Sequence, residues 1–161
     1  MSDRILFLDI DGVLNCQLFF TQRDLTKEGS YVENNICRER VSWLNELCSE
    51  IDAKVVISST WRMGRTVQEM KDIFKEVGAT FEVIDKTPVF NRSETVRGNE
   101  IKAWIDKNIE QPYDYYNYAI IDDDSDMLLW QKDNFFQTDT YSGLTPNTCY
   151  RIKRFFLKQK F

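Results

Sequence analysis

Arg4-Ile5-Leu6-Phe7-Leu8-Asp9-Ile10-Asp11-Gly12-Val13-Leu14 (4–14) runs apolar and then turns abruptly acidic. A continuous apolar run ending in acid and then glycine reads as a buried central strand of a parallel sheet, with a loop at its carboxyl end. In an extended chain Asp9 and Asp11 leave on the same side, while Ile10 turns away into the core. Gly12 lets the backbone turn there and approach a ligand closely.

Outward from this strand the pattern alternates. Residues 15–33 mix polar, aromatic and glycine positions with no clean period, which predicts a long loop or small flap carrying Phe19, Phe20 and Tyr31. From about Asn34 a helix follows, with Ile36, Val41, Leu44, Leu47, Cys48 and Ile51 on one face. AKVVIS (53–58) is a second buried strand. Thr66 caps the next helix, Glu69 completes a capping box, and Gly78 sits at the stop. FEVID (81–85), YAIID (118–122) and the weaker NFFQT (134–138) read as further strands. Helices are expected from near Arg97–Gly98 and from about Pro146.

Strands alternating with helices predict an α/β fold, a mainly parallel sheet of about five strands with helices on both faces. The chain of 161 residues fits a single domain, 1–161. Ligands in such folds collect at the carboxyl ends of the strands.

The sequence contains no histidine. Ser-His-Asp and Cys-His hydrolysis, and zinc chemistry of the H-E-x-x-H kind, are therefore excluded. Cys16, Cys37, Cys48 and Cys149 show no C-x-x-C pair, so buried thiols are expected rather than a zinc site or disulfides. The net charge of −5 argues against broad nucleic-acid binding but not against a local basic patch. No apolar run is long enough for a bilayer span, and the first residues lack the layout of a secretory signal. A cytoplasmic protein without membrane partners is expected.

Two strands finish in acid clusters, FLDIDGVL (7–14) and IIDDDSDM (120–127). Carboxylates brought together repel and raise one another's pKa. A divalent cation between them relieves that repulsion, and hard oxygen ligands without histidine or cysteine suit Mg²⁺.

These stretches, with VVISSTWR (55–62), resemble the first, fourth and second motifs of the haloacid dehalogenase-like (HAD) superfamily, in the family's order and spacing. The resemblance implies a Rossmann-like three-layer sheet with those motif strands adjacent. It implies Asp9 as nucleophile, forming an aspartyl-phosphate, and Asp11 as general acid and then base. Ser58 would hold a phosphoryl oxygen, with Ser59 in reserve. The cation would be held by Asp9 and Asp11 with Asp122 or Asp123, and Asp126 as a further ligand or its support. The two alignments of the fourth motif leave Asp122 and Asp123 both open. Arg97 is assigned the basic role of the third motif, with Lys86 and Lys102 as weaker candidates. Gly12, Ser59, Arg62 and Lys86 would line the substrate. An acid at position 11 resembles phosphatases or phosphomutases rather than dehalogenases or ion pumps, because an alkoxide leaving group needs a proton.

Both gaps where the superfamily inserts a cap domain are short, which implies an open site, capless or with a minimal flap. The spellings SSTWR, RGNEIKAWI (97–105), DDDSD and QTD…GLT (137–145) resemble compact HAD domains of nucleic-acid repair proteins. The expected activity is thus Mg²⁺-dependent phosphomonoester hydrolysis of a phosphorylated small molecule, a nucleotide or a nucleic-acid 3′-phosphate end. A phosphotransferase or mutase using the same carboxylates, and a non-catalytic phosphate-binding module, are the rival readings.

Overall fold

The computed structural model describes residues 3–91, 93–110 and 117–158. Its centre is a five-stranded, all-parallel sheet in the order β3-β2-β1-β4-β5, built from β1 (Arg4–Leu8), β2 (Ala53–Ile57), β3 (Val83–Lys86), β4 (Tyr118–Asp122) and β5 (Phe135–Gln137). The expected α/β, Rossmann-like architecture is present, with the three motif strands adjacent at its middle.

Each central strand is apolar on both sides because both faces are covered. Leu6, Leu8, Val55, Ile57, Ala119 and Ile121 point to one face. There they meet α3 (Arg38–Ile51), α4 (Val67–Glu76) and α6 (Pro146–Leu157) through residues such as Leu44, Phe74 and Ile152. Ile5, Phe7, Val56, Tyr118 and Ile120 point to the other face. They pack on Ile101, Trp104 and Ile105 of α5 (Arg97–Asn108), with Phe7 edge-on to Trp104 at 5.4 Å. All four cysteines are free, and burial foremost pushes the Cys48 and Cys149 thiols up to about 12. They are packing groups.

The segment expected as an irregular flap instead holds two short helices, α1 (Gln17–Gln22) and α2 (Tyr31–Asn35). Ser30 and Glu33 form a reciprocal capping box on α2. The helix expected from Asn34 is interrupted: Ile36 and Cys37 are extended, and α3 begins at Arg38. The capping box at Thr66 and Glu69 forms as read. The third strand starts two residues later than expected, because Phe81 leaves the sheet to pack edge-on against Phe74.

Register positions the site. Leu8 lies opposite Ile57 of β2 and Ile121 of β4. The next residues on these strands, Asp9, Ser58 and Asp122, therefore emerge level at the carboxyl edge. The ladder continues one step further, with the Ser58 amide donating to the Leu8 carbonyl and the Asp9 amide to the Ile121 carbonyl, each at 3.0 Å.

Candidate active site

Asp9 is 5% exposed and Asp122 fully buried, on neighbouring strands. Burial raises the Asp9 pKa well above the ordinary carboxylate value, and the adjoining charge of Asp122 raises it further. Arg97 pulls it back only in part. Burial likewise raises Asp122, against the opposing pull of Arg97. The two acids stand close enough for the charge on one to oppose ionisation of the other.

Arg97 opens α5, and its Nη1 lies 2.7 Å from Asp122 Oδ2 and 3.3 Å from Asp9 Oδ2. Burial alone would weaken this guanidinium, but the charges of Asp9 and Asp122 outweigh it and hold its pKa above the usual arginine value. Of the three cations considered for the third motif, Arg97 is the one brought to the acids. Lys102 is an exposed partner of Asp106 one helical turn on, and Lys86 donates to the Arg65 carbonyl.

The place of Arg97 is held from both sides. Val96, the residue before the helix, makes no side-chain cap. Asp126 supplies one from the loop after β4, its Oδ2 accepting the Arg97 amide at 3.2 Å while its carbonyl accepts the Gly98 amide at 3.1 Å. Gly98 has no room for a side chain. A Cβ there would fall 2.6 Å from both the Leu128 nitrogen and Gln131 Oε1.

Asp123 completes an acidic trio. Asp9, Asp122 and Asp123 each offer an oxygen within 4.8 Å of the others. Asp123 lies over Gly12, whose φ is +76°, and a Cβ on Gly12 would come 2.1 Å from Asp123 Oδ2. The same oxygen accepts a hydrogen bond from Thr140 at 3.2 Å. Glycine at position 12 thus serves both the turn and the close approach of a carboxylate.

The arginine between Asp9 and Asp122 bears directly on the cation expected there. It touches the Oδ2 atom of each of these two acids, and one guanidinium stands against three carboxylates. Two negative charges remain unbalanced whenever all three ionise, and every donor is a hard oxygen. The residues fit a divalent cation beside Arg97, bound as protons leave the acids.

Of the five acids expected at the cation, Asp11 and Asp126 are not in this trio. Asp126 caps α5. Asp11 is exposed and fixed at the mouth, where Trp61 Nε1 donates to both carboxylate oxygens at 3.2 Å and Asn15 Nδ2 to Oδ1 at 2.9 Å. Ser58 is fully buried, and its hydroxyl has no hydrogen-bond partner among the described residues. Ser59 accepts from the Trp61 amide and caps the short 3-10 turn Thr60–Arg62. Arg62, expected to line the substrate, is fastened inside the fold instead. It donates to the carbonyls of Ser58, Ser59, Thr87 and Pro88 and pairs with buried Glu100 at 3.0 Å.

Sequence reasoning passed over Asn15, Trp61, Thr138 and Thr140. Asn15 also accepts the Gly12 amide at 3.0 Å, and Thr138 Oγ1 donates to the Gly12 carbonyl at 2.7 Å. An asparagine four residues after Asp11, and two threonines just beyond the strand beside β4, were the available signals.

A family model described as the HAD domain in Swiss Army Knife RNA repair proteins matches residues 5–149. The chain belongs to this family. No curated protein and no solved structure matches it. Membership of a HAD family supports a phosphatase-type hydrolase in general, and the acidic trio has the composition of a metal site. No helix among the described residues is long and apolar enough to cross a membrane.

Proposed function

We propose that this HAD domain hydrolyses phosphomonoesters through an aspartyl-phosphate on Asp9, with Mg²⁺ held by Asp9, Asp122 and Asp123. The observation that carries the reading is the pairing of two buried, neighbouring carboxylates with one arginine at the carboxyl edge of the sheet. Such a cluster is expensive to bury and is explained by the charged group it receives.

Bound Mg²⁺ would neutralise charge on the phosphoryl oxygens as the carboxylate approaches. Asp9 attacks phosphorus with its free oxygen, and the ester oxygen departs with a proton from Asp11. Trp61 and Asn15 hold Asp11 in place for that transfer. Asp11 then takes a proton from the water that releases phosphate from Asp9. Arg97 balances the charge on Asp9 and Asp122 throughout. The unpartnered Ser58 hydroxyl is level with Asp9 and donates to a phosphoryl oxygen. The family description, of RNA repair proteins, supports a nucleic-acid substrate; the proposed substrate is an end bearing a 3′-phosphate, acted on in the cytoplasm by one domain spanning the chain.

The test is phosphate release from 3′- and 5′-phosphorylated oligonucleotides, nucleotides and sugar phosphates with Mg²⁺ present. Asp9→Asn is expected to abolish both release and phosphoenzyme formation. Full activity in that variant would refute the nucleophile assignment. Phosphate transfer to an acceptor without net release would instead reveal a phosphotransferase.

A further inference from the structure

Tyr31 is 69% exposed, an unusual setting for a tyrosine ring beside a buried charged site. It does not move freely, because it is the first residue of α2. Ser30 and Glu33 cap that helix reciprocally, and Asn35 Nδ2 donates to the Tyr31 carbonyl at 2.7 Å. The ring leans on Trp61, with centroids 5.7 Å apart and planes at 37°. Trp61 is only 8% exposed, and its indole nitrogen grips both oxygens of Asp11. The Arg65 guanidinium stands over the same indole, 5.8 Å from its centroid.

A chain of contacts therefore runs from solvent through Tyr31 and Trp61 to the carboxylate at the mouth. We propose that Tyr31, braced on Trp61, is a stacking platform for the terminal unpaired base of a nucleic-acid strand whose end enters the site. The inference rests on the phosphatase reading above and names the substrate class: single-stranded ends rather than sugar phosphates. A ring held against a buried indole is pre-ordered, so a base stacking on its outer face meets little further ordering cost. Stacking on an aromatic tolerates any base, as an enzyme acting on ends of varied sequence requires. Arg65 adds a positive charge on the platform's rim, suited to the phosphate that follows the base. Membership of a family of HAD domains in RNA repair proteins favours a nucleic acid over other flat ligands.

The deciding measurement is fluorescence anisotropy with two 3′-phosphorylated RNA oligonucleotides, alike except that one ends in a base and the other in an abasic residue. An Asp9→Asn background with Mg²⁺ prevents turnover. With Tyr31 or with Tyr31→Phe, the base-ended strand is expected to bind about ten-fold tighter. With Tyr31→Ala, and with Tyr31→Leu, which keeps apolar bulk without a π-face, both strands bind alike at the abasic level. A base preference that survives in Tyr31→Ala and Tyr31→Leu would overturn the proposal, as would the absence of any preference with Tyr31. Binding needs no turnover, so failure here is distinct from failure of the phosphatase reading, which appears as no phosphate release from any ester.

Discussion

Gly12 shows how much of the site turns on one missing methyl. Its φ of +76° already disfavours any L side chain, and Asp123 fills the space a Cβ would need. Gly12→Ala is expected to cost about 1–3 kcal/mol of stability. It should also weaken Mg²⁺ binding, since Asp123 must move aside. Urea unfolding and calorimetric titration of Mg²⁺ check the two effects, and an alanine variant with unaltered Mg²⁺ affinity would separate Asp123 from the cation. At this scale the sequence was only partly legible. D-x-D-G announced Asp9 and Gly12, because strand alternation and a turn are local properties. The fate of Arg62 was not, since an arginine that binds phosphate and one that binds carbonyls are spelled alike. The choice depends on Thr87, Pro88 and Glu100, all remote in sequence.

Among elements, the central strands could be read from their apolar runs because helices cover both faces. The edges were harder. β3 is displaced by the packing of Phe81, and α1 buries none of its residues, so it carries no periodicity to detect. Elements are also joined by buried charge. Arg62, from the turn after β2, and Glu100, on α5, have side chains 0% and 2% exposed. Removing one partner leaves the other charged and dry. Glu100→Ala is therefore expected to cost about 3–5 kcal/mol, measured as a lowered urea midpoint. Glu100 also accepts the Phe90 amide at 2.8 Å, so the loop after β3 should loosen, visible as faster hydrogen exchange at that amide.

For the molecule as a whole, the raised pKa values of Asp9 and Asp122 set the sign of its response to pH. Without a divalent cation, the folded state holds protons that the unfolded chain has released. This contribution to stability is complete below the unfolded carboxylate pKa of about 3.9 and is lost as pH rises through the raised native values. In chelator, the melting temperature is expected to fall over that window. On the proposed reading Mg²⁺ takes the place of those protons, so at neutral pH it should raise the melting temperature, by about 2.7 kcal/mol of added stability at a hundred times its Kd. Differential scanning calorimetry with and without Mg²⁺, from pH 4 to 8, tests both. A Mg²⁺ effect that persists undiminished at pH 4 would mean that it binds elsewhere.

The seam between α5 and the loop after β4 has a further consequence. Gly98 presses on Leu128 and Gln131, while Asp126 takes the amides of Arg97 and Gly98, so the two segments meet like a mortise and tenon. Neither can be lengthened or redesigned alone without pulling the guanidinium off its acids. Whoever grafts this acidic edge onto another scaffold must transplant residues 97–98 and 126–131 as one piece.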